Sequence, residues 1–258
     1  MQLRYSILDV PVDVQSFDEA LAQLQGWVSS KARCFVSTCT VYTIMTAQDN
    51  DAAMIALQHA DMVTTDGMPL VWLQKRAGYK QAERVYGPDL FLALCARTER
   101  QDVKHFFLGG TPGVAEKLGA ALQGKYPQIK IAGHEAPQVS AAVLPIDVRL
   151  VERLNASGAD VIWVGLGSPK QDIWMDVYRP ALNASLLIGV GAAFDFIAGI
   201  KPQAPRWMMR SGLEWAFRLI TEPRRLWKRY LVYNSRFVYA LVLNGLRSRL
   251  EQRASSGE

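Results

Sequence analysis

Along residues 1–200, short apolar runs repeatedly end in glycine, threonine or aspartate and give way to a helical pattern. This alternation constrains the fold more than any other feature. Several runs, such as 103–108, 160–166 and 185–190, are continuously apolar rather than alternating. A strand of that kind is buried on both faces, which is the condition inside a parallel sheet covered by helices. Strands are expected at 33–38, 60–65, 103–108, 128–132, 160–166 and 185–190, and residues 1–10 also read as a strand. Helices are expected at 41–48, 68–76, 88–97, 112–124, 147–157 and 169–178. Strand–helix–strand units joined by right-handed crossovers give an α/β, Rossmann-like, largely parallel sheet with helices on both faces.

From about Gly199 the pattern changes. Pro202 and Pro205 punctuate the chain and no strand signal returns. The sequence therefore divides into a core at 1–200 and a helical, basic and aromatic appendage at 201–258. Residues 201–258 carry 12 Lys/Arg against 4 Asp/Glu, a net charge of +8, whereas the whole chain is only +5. All the excess positive charge thus lies in the appendage, which implies an anionic partner. Pro223 is placed to open a helix. From there Arg225, Arg229 and Arg236 fall within an arc of about 40° at 100° per residue. Interleaved Trp and Tyr residues suit a helix lying in the headgroup plane of a membrane, the alternative being a solvated face on an ordinary terminal helix. The longest uncharged runs, such as 180–194, fall short of the roughly 20 apolar residues that a spanning helix needs. Cys34, Cys39 and Cys95 are odd in number and have no C-x-x-C spacing, so a reducing compartment without a disulfide framework is expected.

Ligands of parallel sheets bind outside the carboxyl ends of the strands. Thr38 stands at the first such end and can offer its hydroxyl to a ligand or cap the following helix. Asp66 follows the second strand and precedes Gly67; a carboxylate there suits a general base, and equally an N-cap or a turn. Gly109 and Gly110 form a glycine turn before a helix, where backbone N–H groups can approach phosphate. Gly165 and Gly167 repeat the arrangement, with Lys170 and Gln171 in the first helical turn, or else form a tight turn with a solvated helix end. A fifth end, at 189–195, can line the same cleft or simply allow close packing. Arg84 is a candidate anion contact, or half of a surface ion pair. His59, His105 and His134 are scattered without ligand spacing and no D-x-D pair occurs, so no metal site is expected and no cofactor is called for. Walker and G-x-S-x-G motifs are absent.

The stretches ADMVTTDGMPLVW, ERVYGPDL, FFLGGTPG, VIWVGLGSPKQD, LIGVGAAFDFIAG and EWAFRLITEPRRLWKRY, in this order, resemble the WecG/TagA/CpsF glycosyltransferases over most of residues 33–230. The resemblance implies metal-independent, inverting transfer from a UDP-sugar to a polyprenyl-diphosphate-linked sugar, at the cytoplasmic face of the bacterial inner membrane. Donors in the family are UDP derivatives of N-acetylmannosamine, its uronic acid or glucose. Asp66 matches the family's proposed base, Thr38 a site threonine, Arg84 a site arginine and Gln171 the glutamine of a G-x-P-K-Q-E motif. Three positions depart from the pattern: Thr40 stands where many members have Asn, Thr65 where Pro often precedes Asp-Gly, and Asp172 where Glu is usual.

In this reading Asp66 takes the acceptor proton, with the Gly109–110 and Gly165–167 turns, Arg84, Lys170 and Gln171 around the donor phosphates. Arg218, Arg225 and Arg229 meet the lipid diphosphate and an anionic membrane surface. No nucleic acid is expected as a partner, and a homo-oligomer is admitted. Two other readings stand beside it. An NAD-dependent oxidoreductase would share the sheet but lacks the dinucleotide fingerprint, and a non-enzymatic membrane-surface nucleotide-binding adaptor, or a nucleic-acid binder, would use the basic appendage.

Overall fold

The computed structural model describes residues 3–137, 139 and 145–255, with side chains placed as far as residue 244. Its centre is a six-stranded sheet in which every neighbouring pair is parallel. The strands are β3 (Cys34–Cys39), β4 (Met62–Thr65), β5 (Lys104–Gly109), β6 (Lys130–Glu135), β7 (Val161–Gly165) and β8 (Leu186–Gly189), in spatial order β4-β3-β8-β7-β5-β6. All six lie at the expected places, with ends shifted by up to a few residues. Residues 1–10 were expected to form one strand. Instead β1 (Arg4–Ile7) and β2 (Val10–Asp13) form an antiparallel hairpin. Leu8 and Asp9 both adopt positive φ, 49° and 64°, as a two-residue turn of this hand requires.

Helices cover both faces of the sheet. On one face α1 (Phe17–Ser29), α5 (Gly87–Thr98), α6 (Val114–Lys125) and α9 (Ala193–Ile197) bury Leu24, Phe91, Leu118 and Phe194 against Phe107 and Trp163. On the other, α2 (Val41–Gln48), α3 (Asp51–His59), α7 (Val148–Ala156) and α8 (Lys170–Tyr178) bury Ile44, Leu57, Leu154 and Trp174 against Phe35 and Val164. The helix α4 (Met68–Arg76) follows β4 and buries Leu70 and Val71. Helices α2 and α4 have the bounds expected from their sequence, whereas α1, α3 and α9 were not anticipated.

From Arg206 the described C-terminal segment carries helices joined by short turns: α10 (Arg206–Arg210), α11 (Glu214–Thr221), α12 (Pro223–Trp227) and α13 (Tyr233–Ser255). Pro223 opens α12, where its missing N–H costs nothing. A π-helical turn, Lys228–Val232, links α12 to α13. No described helix is long and apolar enough to cross a membrane.

The arginines of the expected arc contact the rest of the protein: Arg225 lines the same cavity as Arg229. Arg229 points inward at Tyr42, and Arg236 makes a two-pronged ion pair with Asp49 at 2.6 and 2.7 Å. Trp207, Ile220, Trp227, Leu231, Val238 and Tyr239 of the same segment are exposed.

Candidate active site

All six strands point the same way, so their C-terminal ends share one edge. Register carries this across the sheet: Cys39 lies opposite Thr65, Ser37 opposite Gly189, Val164 opposite Gly189, and Gly109 opposite Gly165. The segments after these residues therefore converge on one cleft of about 460 Å³. Thr38, Asp66, Gly110, Gly165, Gly167 and Gln171 line it, together with Arg218, Arg225 and Arg229 from the C-terminal helices.

Asp66 sits where β4 stops. It does not cap its own helix: the N-cap of α4 is Gly67, with no side-chain cap. Its carboxylate instead accepts a 3.1 Å hydrogen bond from the Gly87 N–H, the first residue of α5. The Arg84 guanidinium donates through Nε to the Asp66 carbonyl and brings Nη2 to 3.9 Å from the carboxylate. That Nη2 is held more closely by Glu214 of α11, at 2.6 Å. Burial raises the Asp66 carboxyl above the usual carboxylate range. Arg84 pulls it down, Glu214 pushes it up, and the Gly87 N–H and Arg218 lower it. A raised, oriented carboxylate at a cleft wall is a group that can accept a proton near neutral pH.

Thr38 also escapes the capping role. Its hydroxyl donates to the Gly189 carbonyl at 2.6 Å, tying β3 to β8, while Thr40 caps α2 in a reciprocal capping box with Thr43. The glycine turns are shaped by close approach. A Cβ on Gly109 would lie 2.8 Å from Gly165, and one on Gly165 would lie 2.7 Å from Phe194. Several amides proposed as phosphate donors are engaged within the protein. Gly110 N–H bonds to Gly165 O at 3.1 Å. Gln171 Oε1 accepts from both Gly167 N–H at 3.1 Å and Gly191 N–H at 3.0 Å. Gln171 therefore clamps two turns together at the cleft wall. Lys170 is exposed and lies outside the cleft lining, because the first turn of α8 points its side chain to solvent.

The cations come mainly from the C-terminal helices. Arg218 stacks over Phe196, 5.2 Å from the ring centre, and its Nε and Nη2 are buried without a hydrogen-bond partner. Arg229 lies 4.6 Å from the centre of the Tyr42 ring with Nε likewise unpartnered, and burial and then neighbouring Arg218 lower its pKa. Guanidinium groups with spare buried N–H donors are matched to an anion with several oxygens. Arg225 is partly satisfied by Glu222 at 2.6 Å, and Lys201 bridges Asp195 at 2.7 Å and Glu222 at 3.2 Å. The main cleft is lined by four cations, Lys201, Arg218, Arg225 and Arg229, and two carboxylates, Asp66 and Asp195. No group of three or more metal-ligating side chains is gathered among the described residues.

Sequence reasoning missed Glu214, Lys201 and the Thr40–Thr43–Ser168 hydroxyl row. Thr43 Oγ1 lies 3.1 Å from Thr40 Oγ1 and 3.4 Å from Ser168 Oγ. Glu214 had a weak signal, an acidic residue in a strongly basic segment. Asp172 is buried beneath the cleft: Ser37 donates to it at 2.6 Å, its other oxygen has no partner, and burial raises its pKa to about 6.

Two comparisons with known proteins bear on this site. The model of the Glycosyl transferase WecG/TagA/CpsF family matches residues 5–251. The chain is also 30% identical, over 198 residues, to the N-acetylglucosaminyldiphosphoundecaprenol N-acetyl-beta-D-mannosaminyltransferase of Bacillus spizizenii. That match covers 76% of this chain and 74% of the relative.

Proposed function

The chain belongs to the WecG/TagA/CpsF family and is a glycosyltransferase, and from that premise we propose that it moves the sugar of a UDP-sugar onto a polyprenyl-diphosphate-linked sugar, with inversion and without a metal. The observation that carries this reading is the cleft itself: one half-buried carboxylate from the sheet edge shares it with arginines from the C-terminal helices that have unused buried N–H donors. The relative's name supplies the closest candidate pair, an N-acetylmannosaminyl donor and N-acetylglucosaminyl-diphosphoundecaprenol as acceptor.

In the proposed reaction Asp66 takes the proton from the attacking acceptor hydroxyl. The oxygen forms a bond to the anomeric carbon while the bond from that carbon to the diphosphate breaks, and the electron pair leaves on UDP. Arg218 and Arg229, helped by Arg225 and Lys201, neutralise the charge that builds on the departing diphosphate. Preorganised cations in a partly dry cleft act most strongly at that stage, because they need no reorganisation. The Gly110 and Gly167 turns shape the cleft more than they donate to it. On this division residues 1–200 supply base and sugar pocket, and residues 201–258 supply the cations and the membrane contact. The exposed Trp207, Ile220, Trp227 and Leu231 suit insertion at the cytoplasmic face of the inner membrane, where a lipid-linked acceptor resides.

The test is a panel of UDP-sugars offered with N-acetylglucosaminyl-diphosphate-polyprenol before and after exhaustive chelation, with linkage analysis of the product. The expected outcome is transfer from one donor, unchanged by chelation, with inverted anomeric configuration. Transfer that stops on chelation and returns with Mg²⁺ or Mn²⁺ contradicts charge neutralisation by arginine alone.

A further inference from the structure

The main cleft is not the only cavity at Asp66. A second chamber opens on the side facing the C-terminal helices, walled by Val41, Met68, Met209, Trp215, Tyr230 and Asn234. The two cavities share four residues: Thr40, Asp66, Arg218 and Arg229. None of the glycine turns after β5, β7 and β8 reaches the second chamber. Asp66 is the only carboxylate that lines both; Asp195 faces the main cleft alone and Glu214 the second chamber alone.

The two chambers differ in chemistry. The main cleft has the excess of cations, and its open side is bounded by glycine turns. The second chamber is half apolar. Besides Asp66 its carboxylate is Glu214, which is paired with Arg84 at 2.6 Å. Trp215 and Tyr230 form an angled aromatic corner, with ring centres 6.3 Å apart and planes inclined at 51°. A sugar ring has an apolar C–H face that suits an aromatic wall and hydroxyls that suit Asn234 and the edges of Arg218 and Arg229. The chamber's outer walls come from the same helices that expose Trp207, Leu213 and Ile220.

On the transferase reading above, we propose that this chamber is the subsite for the sugar of the acceptor, which packs on Trp215 and Tyr230 with its attacking hydroxyl at Asp66. The donor sugar then occupies the main cleft, and the base stands at the junction. Asp66 at the junction can then deprotonate the acceptor hydroxyl as it attacks the donor's anomeric carbon on the side opposite the departing diphosphate, as a single displacement with inversion needs. It also leaves the lipid diphosphate at the chamber mouth, beside the apolar outer face.

The experiment uses the full chain and a water-soluble, short-prenyl N-acetylglucosaminyl diphosphate, without vesicles or detergent, so membrane affinity has no part in the result. Trp215→Ala and Tyr230→Ala should each raise the acceptor KM roughly tenfold, the size of one lost aromatic anchor. UDP affinity should stay at the wild-type value, and Trp215→Phe should recover most of the loss. Unchanged acceptor KM in folded Ala variants overturns the assignment, as does weaker UDP binding at unchanged acceptor KM. A photo-crosslinking acceptor, with a diazirine on its sugar, gives a second readout on the unmutated protein. Labelling within 209–234 supports the subsite, and labelling confined to 165–196 overturns it. An unmutated chain that turns over no UDP-sugar with this acceptor overturns the proposed acceptor, and the subsite with it. A working transferase labelled only at the glycine turns overturns the subsite alone.

Discussion

The sheet region and the C-terminal helices are held in place by different balances of apolar burial and ion pairing. Two apolar clusters, one on each face, bury the sheet, with residues such as Phe107, Trp163, Ile188 and Trp174 almost wholly withdrawn from water. In the described C-terminal helices the buried apolar residues are few: Met209, Leu226 and Phe237. The helices rest on the sheet region through small apolar contacts, Phe237, Tyr233 and Leu241 on one core cluster and Met209 beside Tyr86, joined by three ion pairs, Arg206 with Asp89, Glu214 with Arg84 and Arg236 with Asp49, each at 2.6 Å. Burial of apolar area is the larger and less salt-sensitive force, whereas exposed ion pairs contribute little individually and weaken with salt. The lesson is that the C-terminal helices are the part that opens more readily, and that the charges which dock them also complete the cleft. Stability and chemistry are separate in the sheet region and shared in the C-terminal helices.

The sharpest way to break this contrast is at Arg229, which contributes to the cleft far more than to docking. Arg229→Ala should lower turnover by about 10²–10³-fold, the usual loss for one preorganised charge-stabilising group, and should weaken UDP binding. A Tm near wild type keeps the reading chemical. A large fall in Tm with near-normal turnover per folded molecule would instead make Arg229 a structural post.

Glu214 tests the shared role directly. Glu214→Gln keeps the shape but releases Arg84, now 2.6 Å from Glu214 and 3.9 Å from Asp66. Arg84 should then pair with Asp66. Glu214 raises the Asp66 pKa and Arg84 lowers it, so both changes move it down. The acidic limb of the kcat/KM profile should shift to lower pH, and the plateau should fall roughly tenfold as the base weakens. An acidic limb at its original pH separates Glu214 from the base.

The smallest effect is expected at Arg236, whose pair with Asp49 is about 40% exposed on both sides, 43% and 41%. Its removal should cost on the order of 0.2–1 kcal/mol, a Tm shift under about 4 °C for a chain of this size. UDP affinity should not move. A larger shift would show that a single exposed pair docks the C-terminal helices more firmly than the contrast allows.

The sheet was legible in the sequence because fully buried strands leave continuous apolar runs, and glycine marks their ends wherever a Cβ would collide, as at Gly109 and Gly165. Helices α1 and α3 were missed although their caps were written out: Ser16 with Glu19 is a complete capping box, and Asn50 caps α3 through Ala53 N–H. At the strand ends, residue type and spacing placed Thr38, Asp66 and Gln171 in the cleft, but they left roles open that only partners can decide. Thr38 bonds to Gly189 O, and Gln171 clamps the turns at Gly167 and Gly191. Periodicity grouped Arg225, Arg229 and Arg236 but could not tell which way they face, because that is set by tertiary partners such as Tyr42 and Asp49.

The account stands most directly on Asp66, where sheet edge and C-terminal cations meet. Asp66→Asn keeps the size of the side chain, and its carbonyl oxygen can still accept the Gly87 N–H, so the local structure has no reason to change. The measurement is transfer rate and UDP affinity on the same folded protein. If Asp66 takes the acceptor proton, transfer falls about 10²–10⁴-fold while UDP binds as well as before. Transfer near the wild-type rate, with UDP affinity intact, would contradict the assignment of Asp66 as the base.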